Sequence, residues 1–125
     1  MITKITHTDT IEISKILKNS KATTTHMVVK EMLDHINDGV ALKYMEDNKI
    51  VGIWFSKEYE EYTSLSYFYV DESIRRKPQL AVFFKTCADL LNKTKPVLIT
   101  ANDTTGFDRY VEQIGEKLFR FKGLR

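Results

Sequence analysis

The first third of the chain combines one strand-like run with two stretches whose apolar residues recur at helical spacing. Ile2–Ile5 predicts a short strand. Asp9 is placed to cap a helix that carries Ile13, Ile16 and Leu17 on one face. A second helix is predicted from Thr25 to Asn37, with a buried stripe made of Val28, Val29, Met32, Leu33 and Ile36.

The middle of the chain contains three strand-like runs. Ala41–Glu46 and Lys49–Lys57 are separated by Asp47-Asn48, two residues that tolerate the left-handed backbone of a tight turn, and this pattern predicts a β-hairpin. Thr63–Val70 is rich in β-branched and aromatic side chains and predicts a third antiparallel strand.

A third helix is expected to begin at Pro78, because proline lacks the N–H that the first helical position does not need. The apolar residues that follow recur at helical spacing, namely Leu80, Phe83, Phe84, Cys87 and Leu91. The rest of the chain predicts a strand at Val97–Thr100, a helix at Phe107–Ile114 that Gly115 ends, and a last strand at Lys117–Phe121.

The predicted order of elements is β-α-α-β-β-β-α-β-α-β. A strand, a helix and a second strand normally pair in parallel through a right-handed crossover, and this applies to the unit from Thr63 to Thr100. The preceding hairpins must be antiparallel. We therefore expect an α/β fold with one mixed, mostly antiparallel sheet and helices on both faces.

Composition limits the chain to one domain, residues 1–125, because 125 residues with 42% hydrophobic content suffice for a single core. The net charge of +2 provides no long-range field for nucleic acid or a membrane, so neither is an expected partner. A single cysteine indicates a reducing compartment, and we expect a cytoplasmic protein without a membrane span. The three histidines have no metal-ligand spacing, so no metal site is predicted.

Two segments resemble the GNAT (Gcn5-related N-acetyltransferase-like) superfamily. Asp47–Gly52 is similar to the family's hairpin, and Tyr67–Lys77 is similar to its central strand and the start of its cofactor loop. The order of elements fits over roughly the whole chain, although a seventh strand is not predicted. The resemblance implies acetyl-CoA as cofactor. It also implies cofactor contacts from Phe68, Tyr69 and Val70 on the strand and from Asn102 at the end of the fifth strand, where a loop-starting asparagine is the alternative explanation.

The cofactor loop departs from the family's pattern of Gln/Arg-x-x-Gly-x-Gly/Ala. With Arg75 at the first position, the glycine positions hold Pro78 and Leu80, which offer no donor and hinder close approach. A shift by one residue gives Arg76, Gln79 and Ala81, of which only the alanine fits at its position. We therefore expect acetyl-CoA to bind weakly.

Side-chain charge is the remaining source of phosphate binding. Arg75, Arg76 and Lys77 lie beside a predicted helix N-terminus, where cations suit an anion. The alternative is that these three residues form a solvated basic loop with no ligand.

Tyr110 is the one candidate catalytic residue. The resemblance implies a tyrosine four residues before the glycine that ends the last helix, but that position here is Val111. Since one helical step turns a side chain by about 100°, Tyr110 is expected to face the core instead.

Two functions are compatible with these observations. The first is a non-catalytic protein-binding or assembly module, similar to the GNAT-like proteins of tailed bacteriophages and located in the host cytoplasm or the virion. Asn102, Tyr110-Val111 and Ile114-Gly115 carry that resemblance. An open C-terminal edge strand would then recruit a protein partner or a second copy. The alternative is an active acyl-CoA-dependent N-acetyltransferase with an atypical cofactor loop.

Overall fold

The computed structural model describes residues 1–19, 28–92, 94–100 and 110–122. Two 3₁₀ turns (His7–Asp9 and Glu72–Ile74) accompany the helices and strands. In chain order these are β1 (Ile2–Lys4), α1 (Thr10–Asn19), α2 (Val29–Asp38), β2 (Val40–Glu46), β3 (Lys49–Glu58), β4 (Thr63–Val70), α3 (Pro78–Ala88), β5 (Val97–Thr100), β6 (Val111–Gln113) and β7 (Leu118–Phe121).

The strands of the described residues form one sheet in the order β1-β2-β3-β4-β5-β7-β6. Only β4 and β5 pair in parallel, and the other neighbours are antiparallel. One core cluster joins the sheet to α1 and α2 through Ile13 and Met32, and another joins it to α3 through Phe83 and Cys87. The predicted α/β class, the mixed and mostly antiparallel sheet, and the helices on both faces are confirmed.

The predicted helix at Phe107–Ile114 is wrong in its described part. Val111–Gln113 is strand β6, which pairs with β7 so that Val111 lies opposite Phe121. The turn between the two strands is closed by the N–H of Ile114, which donates to the carbonyl of Leu118 at 2.9 Å. The apolar pattern of so short a segment fits a helix and a strand equally. Pairing with β7, a few residues later in the chain, determines that it forms a strand. The sheet therefore has the seventh strand that the sequence did not predict.

The second helix differs from its prediction in register. It begins at Val29, and the predicted start at Thr25 lies outside the described residues. Val28 and Val29 are exposed rather than buried, whereas Met32 and His35 are buried. The inner face of α2 therefore includes a histidine, which is buried only because its ring nitrogens have partners on the sheet and on the helix.

Local signals predicted two further features correctly, and alternation along β3 accounts for a third. Asp47 and Asn48 have φ values of 50° and 62° in the β2–β3 turn. Pro78 is the first residue of α3. Trp54 belongs to the cluster under α3 and its neighbour Phe55 to the cluster under α1 and α2, as alternation along a strand requires.

Asp9 acts at the start of the first helical segment, but not as the predicted cap of α1. Its carboxylate oxygen Oδ2 accepts the backbone N–H of Thr6 at 2.8 Å, which satisfies a donor at the beginning of the 3₁₀ turn. The same oxygen lies 2.8 Å from the ammonium group of Lys43 on β2. Asp9 therefore ties the first helical segment to the sheet.

Candidate functional site

Strands β4 and β5 separate at a β-bulge. Their parallel pairing ends with Leu65 opposite Ile99, so among the described residues Ser66–Val70 extend beyond it. On the other side of β4, the register with β3 shifts between Phe55 opposite Tyr67 and Ser56 opposite Leu65. Ser66 is the extra residue of this bulge, and bulges bend the strand that carries them. Within the described part of the chain, no strand pairs with the backbone of β4 from Ser66 onward on the β5 side, and we call this stretch the open edge.

A short loop connects the end of this open edge to α3. The Asp71 carboxylate accepts the backbone N–H of Ser73 at 3.0 Å, and Ile74 is fully buried beneath the loop. Hydrogen bonds from Ser73 hold the pKa of Asp71 below its usual value. Arg76 adopts a φ of 64°, a conformation that costs a residue with a Cβ some strain. The chain thus turns at Arg76 in the left-handed conformation, which glycine adopts most easily.

The side chains predicted on β4 have different surroundings. The Phe68 ring packs in the core, with ring centroids 5.1 Å from Phe84 and 5.7 Å from Trp54. Tyr69 lies on the opposite face, and its hydroxyl donates to Asp71 at 3.3 Å. Burial, with the nearby Asp71 charge, raises the pKa of Tyr69. Only the backbone of these residues lies on the open edge.

The basic loop residues are exposed at the end of that edge. Arg75 donates from Nε to the carbonyl of Val70 at 3.1 Å, which holds its guanidinium against the end of β4. Arg76 and Lys77 are exposed, and Lys77 is the N-cap of α3. The cluster of three cations therefore lies where β4 ends and α3 begins.

The first turn of α3 offers fewer backbone donors than the family pattern requires. Pro78 at its first position has no N–H. Gln79 is half-buried, and its Oε1 is buried without a hydrogen-bond partner among the described residues. Ala81 is exposed. An anion at this helix end would depend mainly on side-chain charge.

Tyr110 precedes β6 directly and is half-buried against the core cluster that contains Val111 and Phe121. Its carbonyl accepts the N–H of Lys122 at 2.7 Å. The expected contact with the core is present, although the residues that follow Tyr110, Val111–Gln113, form a strand instead of the predicted helix. Asn102 lies outside the described residues.

The sequence did not predict a hydrogen-bonded group on the α2 face of the bulge. His35 is buried, and its Nδ1 lies 2.7 Å from the carbonyl of Glu31. Its Nε2 lies 2.7 Å from the hydroxyl of Ser66, which in turn lies 2.9 Å from the hydroxyl of Ser64. The alternation of Ser64 and Ser66 was the only sequence signal, and nothing connected it to a histidine 31 residues away from Ser66.

Two other kinds of site were sought in the part of the chain that the structure describes. It contains no group of three or more His, Cys, Asp or Glu side chains that could hold a metal ion. None of the helices found there is both long enough and apolar enough to cross a membrane.

Solved structures of GNAT acetyltransferases share this mixed, mostly antiparallel sheet with its helices. Ard1 from Thermoplasma volcanium matches with a TM-score of 0.66 at 15% identity, covering 96% of this chain and 93% of that one. A Mycobacterium tuberculosis protein solved in complex with CoA has a TM-score of 0.64 at 12% identity, covering 92% and 73%. The ribosomal-protein-S18-alanine N-acetyltransferase from Escherichia coli has a TM-score of 0.62 at 14% identity, covering 85% and 69%.

At these identities the likeness concerns the fold alone. No protein-family model and no curated protein matches the sequence.

Proposed function

We infer that this chain binds an acyl-CoA thioester along the open edge of β4 and transfers the acyl group to an amine. The observation that carries this inference is the bulge at Ser66, directly after the last pair of β4 with β5, beyond which the backbone groups of Ser66–Tyr69 that point away from β3 have no strand partner among the described residues. An extended ligand can pair with such an edge as an added strand does. The CoA complex of the M. tuberculosis protein with the same fold supports this choice of ligand.

Arg75, Arg76 and Lys77 would hold the phosphates of the ligand at the start of α3. Because Pro78 removes one backbone donor, charge on these side chains has to supply most of the binding free energy. We therefore expect a dissociation constant of the order of 1 mM, equivalent to about −4 kcal/mol, and a marked decrease in affinity with added salt.

Calorimetric titration with acetyl-CoA tests this proposal. Arg76→Ala and Lys77→Ala are expected to weaken binding, because each removes an exposed cation beside the helix N-terminus. Lys85→Ala is the matched control, since Lys85 is an equally exposed cation near the other end of α3. Absence of saturable binding at several millimolar ligand, or equal losses in all three variants, would reject the proposal.

A second candidate function is protein binding through the C-terminal edge of the sheet. The last strand of the chain, β7, is not at this edge, because it lies between β5 and β6. The C-terminal edge is β6. The carbonyl of Tyr110 and the N–H of Ile114 form hydrogen bonds with the β7 side. In an antiparallel pair the backbone groups of successive residues point alternately toward and away from the partner strand, so those of Val111 and Gln113 point away from β7.

Light scattering on the wild type and on Gln113→Pro tests this candidate. The proline removes an outward N–H and leaves the hydrogen bonds to β7 in place, so a dimer that uses this edge should dissociate. A wild-type monomer at micromolar concentration contradicts self-association. Similarity to bacteriophage proteins, and a location in host cytoplasm or virion, stay predictions.

A further inference from the structure

His35 and Ser66 have the geometry of a base and a nucleophile. A backbone carbonyl only accepts hydrogen bonds, so the contact of 2.7 Å from Glu31 to Nδ1 requires a proton on that nitrogen. In the neutral ring Nε2 is then the acceptor, and the Ser66 hydroxyl donates to it across 2.7 Å. Ser64 in turn donates to Ser66 across 2.9 Å.

The three elements of an activated hydroxyl are therefore present. The nucleophile lies within hydrogen-bond reach of its base, and a third group, here the Glu31 carbonyl, fixes the tautomer and orientation of the ring. The ring of Phe55, edge-on at 5.8 Å between centroids, restricts the imidazole further. His35 is only 4% exposed, so a base in this position is shielded from water.

The position of Ser66 connects this pair with the proposed acyl-CoA site. Ser66 is the bulge residue and the first residue of β4 beyond the pairing with β5, so it begins the open edge. It is half-buried, whereas its neighbours Leu65 and Tyr67 are buried. The Ser66 hydroxyl can therefore contact an acyl group that is bound along the open edge of β4.

We propose that Ser66 accepts the acyl group of a thioester covalently, with His35 as its general base. The Ser66 Oγ–acyl carbon bond forms, and the carbon–sulfur bond of the thioester breaks. The hydroxyl proton passes to His35 Nε2 and then to the departing thiolate, which leaves as a free thiol. An amine acceptor next forms a bond to the acyl carbon and gives a proton to His35 Nε2, the Oγ–carbon bond breaks, and His35 passes that proton to Oγ. The identity of the acyl donor rests on the proposed function; the reactivity of Ser66 does not.

Intact-protein mass spectrometry tests the covalent step with two acyl donors, acetyl-CoA and p-nitrophenyl acetate. The second donor carries no phosphate and does not need the basic loop. With both donors we expect one added acetyl group, which peptide mapping assigns to Ser66. His35→Gln should slow the acylation by about 100-fold or more, the usual effect of losing a general base.

Ser66→Ala should abolish the adduct, and Ser14→Ala is its matched control. Ser14 is a half-buried serine on α1 whose hydroxyl donates to the sulfur of Met32, so its variant should retain the adduct at Ser66. Ser66→Cys keeps a nucleophile at the position and should be acylated. Thermal unfolding of each variant shows whether it is folded.

The outcomes separate the two proposals. Acylation by p-nitrophenyl acetate without acetyl-CoA binding in the calorimeter would support the Ser66–His35 pair and reject the proposed ligand. Saturable acetyl-CoA binding with no adduct from either donor would overturn the pair and leave the proposed ligand in place. An adduct that persists in folded Ser66→Ala, or that maps to a lysine, would also overturn it.

Discussion

Gly52 on β3 is the position where a single added methyl group should disturb the core most directly. A Cβ built there would lie 2.7 Å from Cε2 and 3.0 Å from Cδ2 of Phe83, and 3.2 Å from the Cβ of Tyr44. Phe83 is fully buried, with ring centroids 5.7 Å from Tyr44 and 6.0 Å from Phe68. The phenyl ring is therefore buried between Tyr44 and Phe68, so that a shift of the ring would disturb these neighbours.

In Gly52→Ala, overpacking of a well-filled core should cost about 1–3 kcal/mol. The smaller entropy of the unfolded alanine chain offsets part of this cost, by about 0.4–1 kcal/mol. The free energy of unfolding should therefore fall by about 0.6–2 kcal/mol, which for a domain of this size corresponds to a decrease in Tm of roughly 2–8 °C. Urea unfolding followed by circular dichroism measures it.

A double-mutant cycle with Phe83→Leu identifies the cause. Leucine removes the ring atoms that the new methyl group would meet, so Gly52→Ala should cost less in that background, with a coupling energy of about 1–2 kcal/mol. Gly115→Ala is the control, since its added Cβ would meet only Leu118, at 3.3 Å or more. A change of less than about 0.5 kcal/mol in Gly52→Ala, or strict additivity with Phe83→Leu, would refute the reasoning.

Three further predictions concern single side chains. Lys43 and the Thr6 N–H outweigh the opposing effect of burial and lower the pKa of Asp9. Asp9→Asn should therefore lower the free energy of unfolding by about 1 kcal/mol near pH 7. A lowered pKa stabilises the fold only while the group is ionised, so the unfolding curves of the two proteins should converge as the pH falls below about 4. Burial raises the pKa of the Cys87 thiol to about 12, so a thiol reagent should label Cys87 at least about 100-fold more slowly in the native than in the unfolded protein, and equal rates would contradict its burial. Tyr110→Phe should change acyl transfer less than tenfold because the ring packs on the core, and a loss of about 100-fold would instead indicate a catalytic hydroxyl.

The candidate site was predictable only in part. The basic loop Arg75–Lys77 and the start of α3 follow from local sequence, because charges and a proline at a helix start act within a few residues. Phe68 was predicted to contact the cofactor; its ring lies among core aromatics, so this contact would come from its backbone and stays a prediction. The Ser66–His35 contact was missed, because it depends on a bulge in β4 and on the rotation of α2 against the sheet.

By itself the sequence determined the elements that local physical chemistry specifies. Asp47 and Asn48 tolerate positive φ and define the β2–β3 hairpin. Pro78 and the helical spacing of Phe83 and Cys87 define α3, and the order of elements defines the α/β class with a parallel β4–β5 pair.

The tertiary structure alone decided the C-terminal strands and the inner face of α2. Val111–Gln113 is a strand because β7 provides backbone partners for it, a pairing that outweighs the weak helical spacing of three residues. His35 is buried because Ser66 and the Glu31 carbonyl satisfy both of its ring nitrogens, whereas Val28 and Val29 are exposed. Strand pairing and the satisfaction of buried polar groups both depend on partners that are distant in the sequence. A local sequence pattern carries no information about such partners.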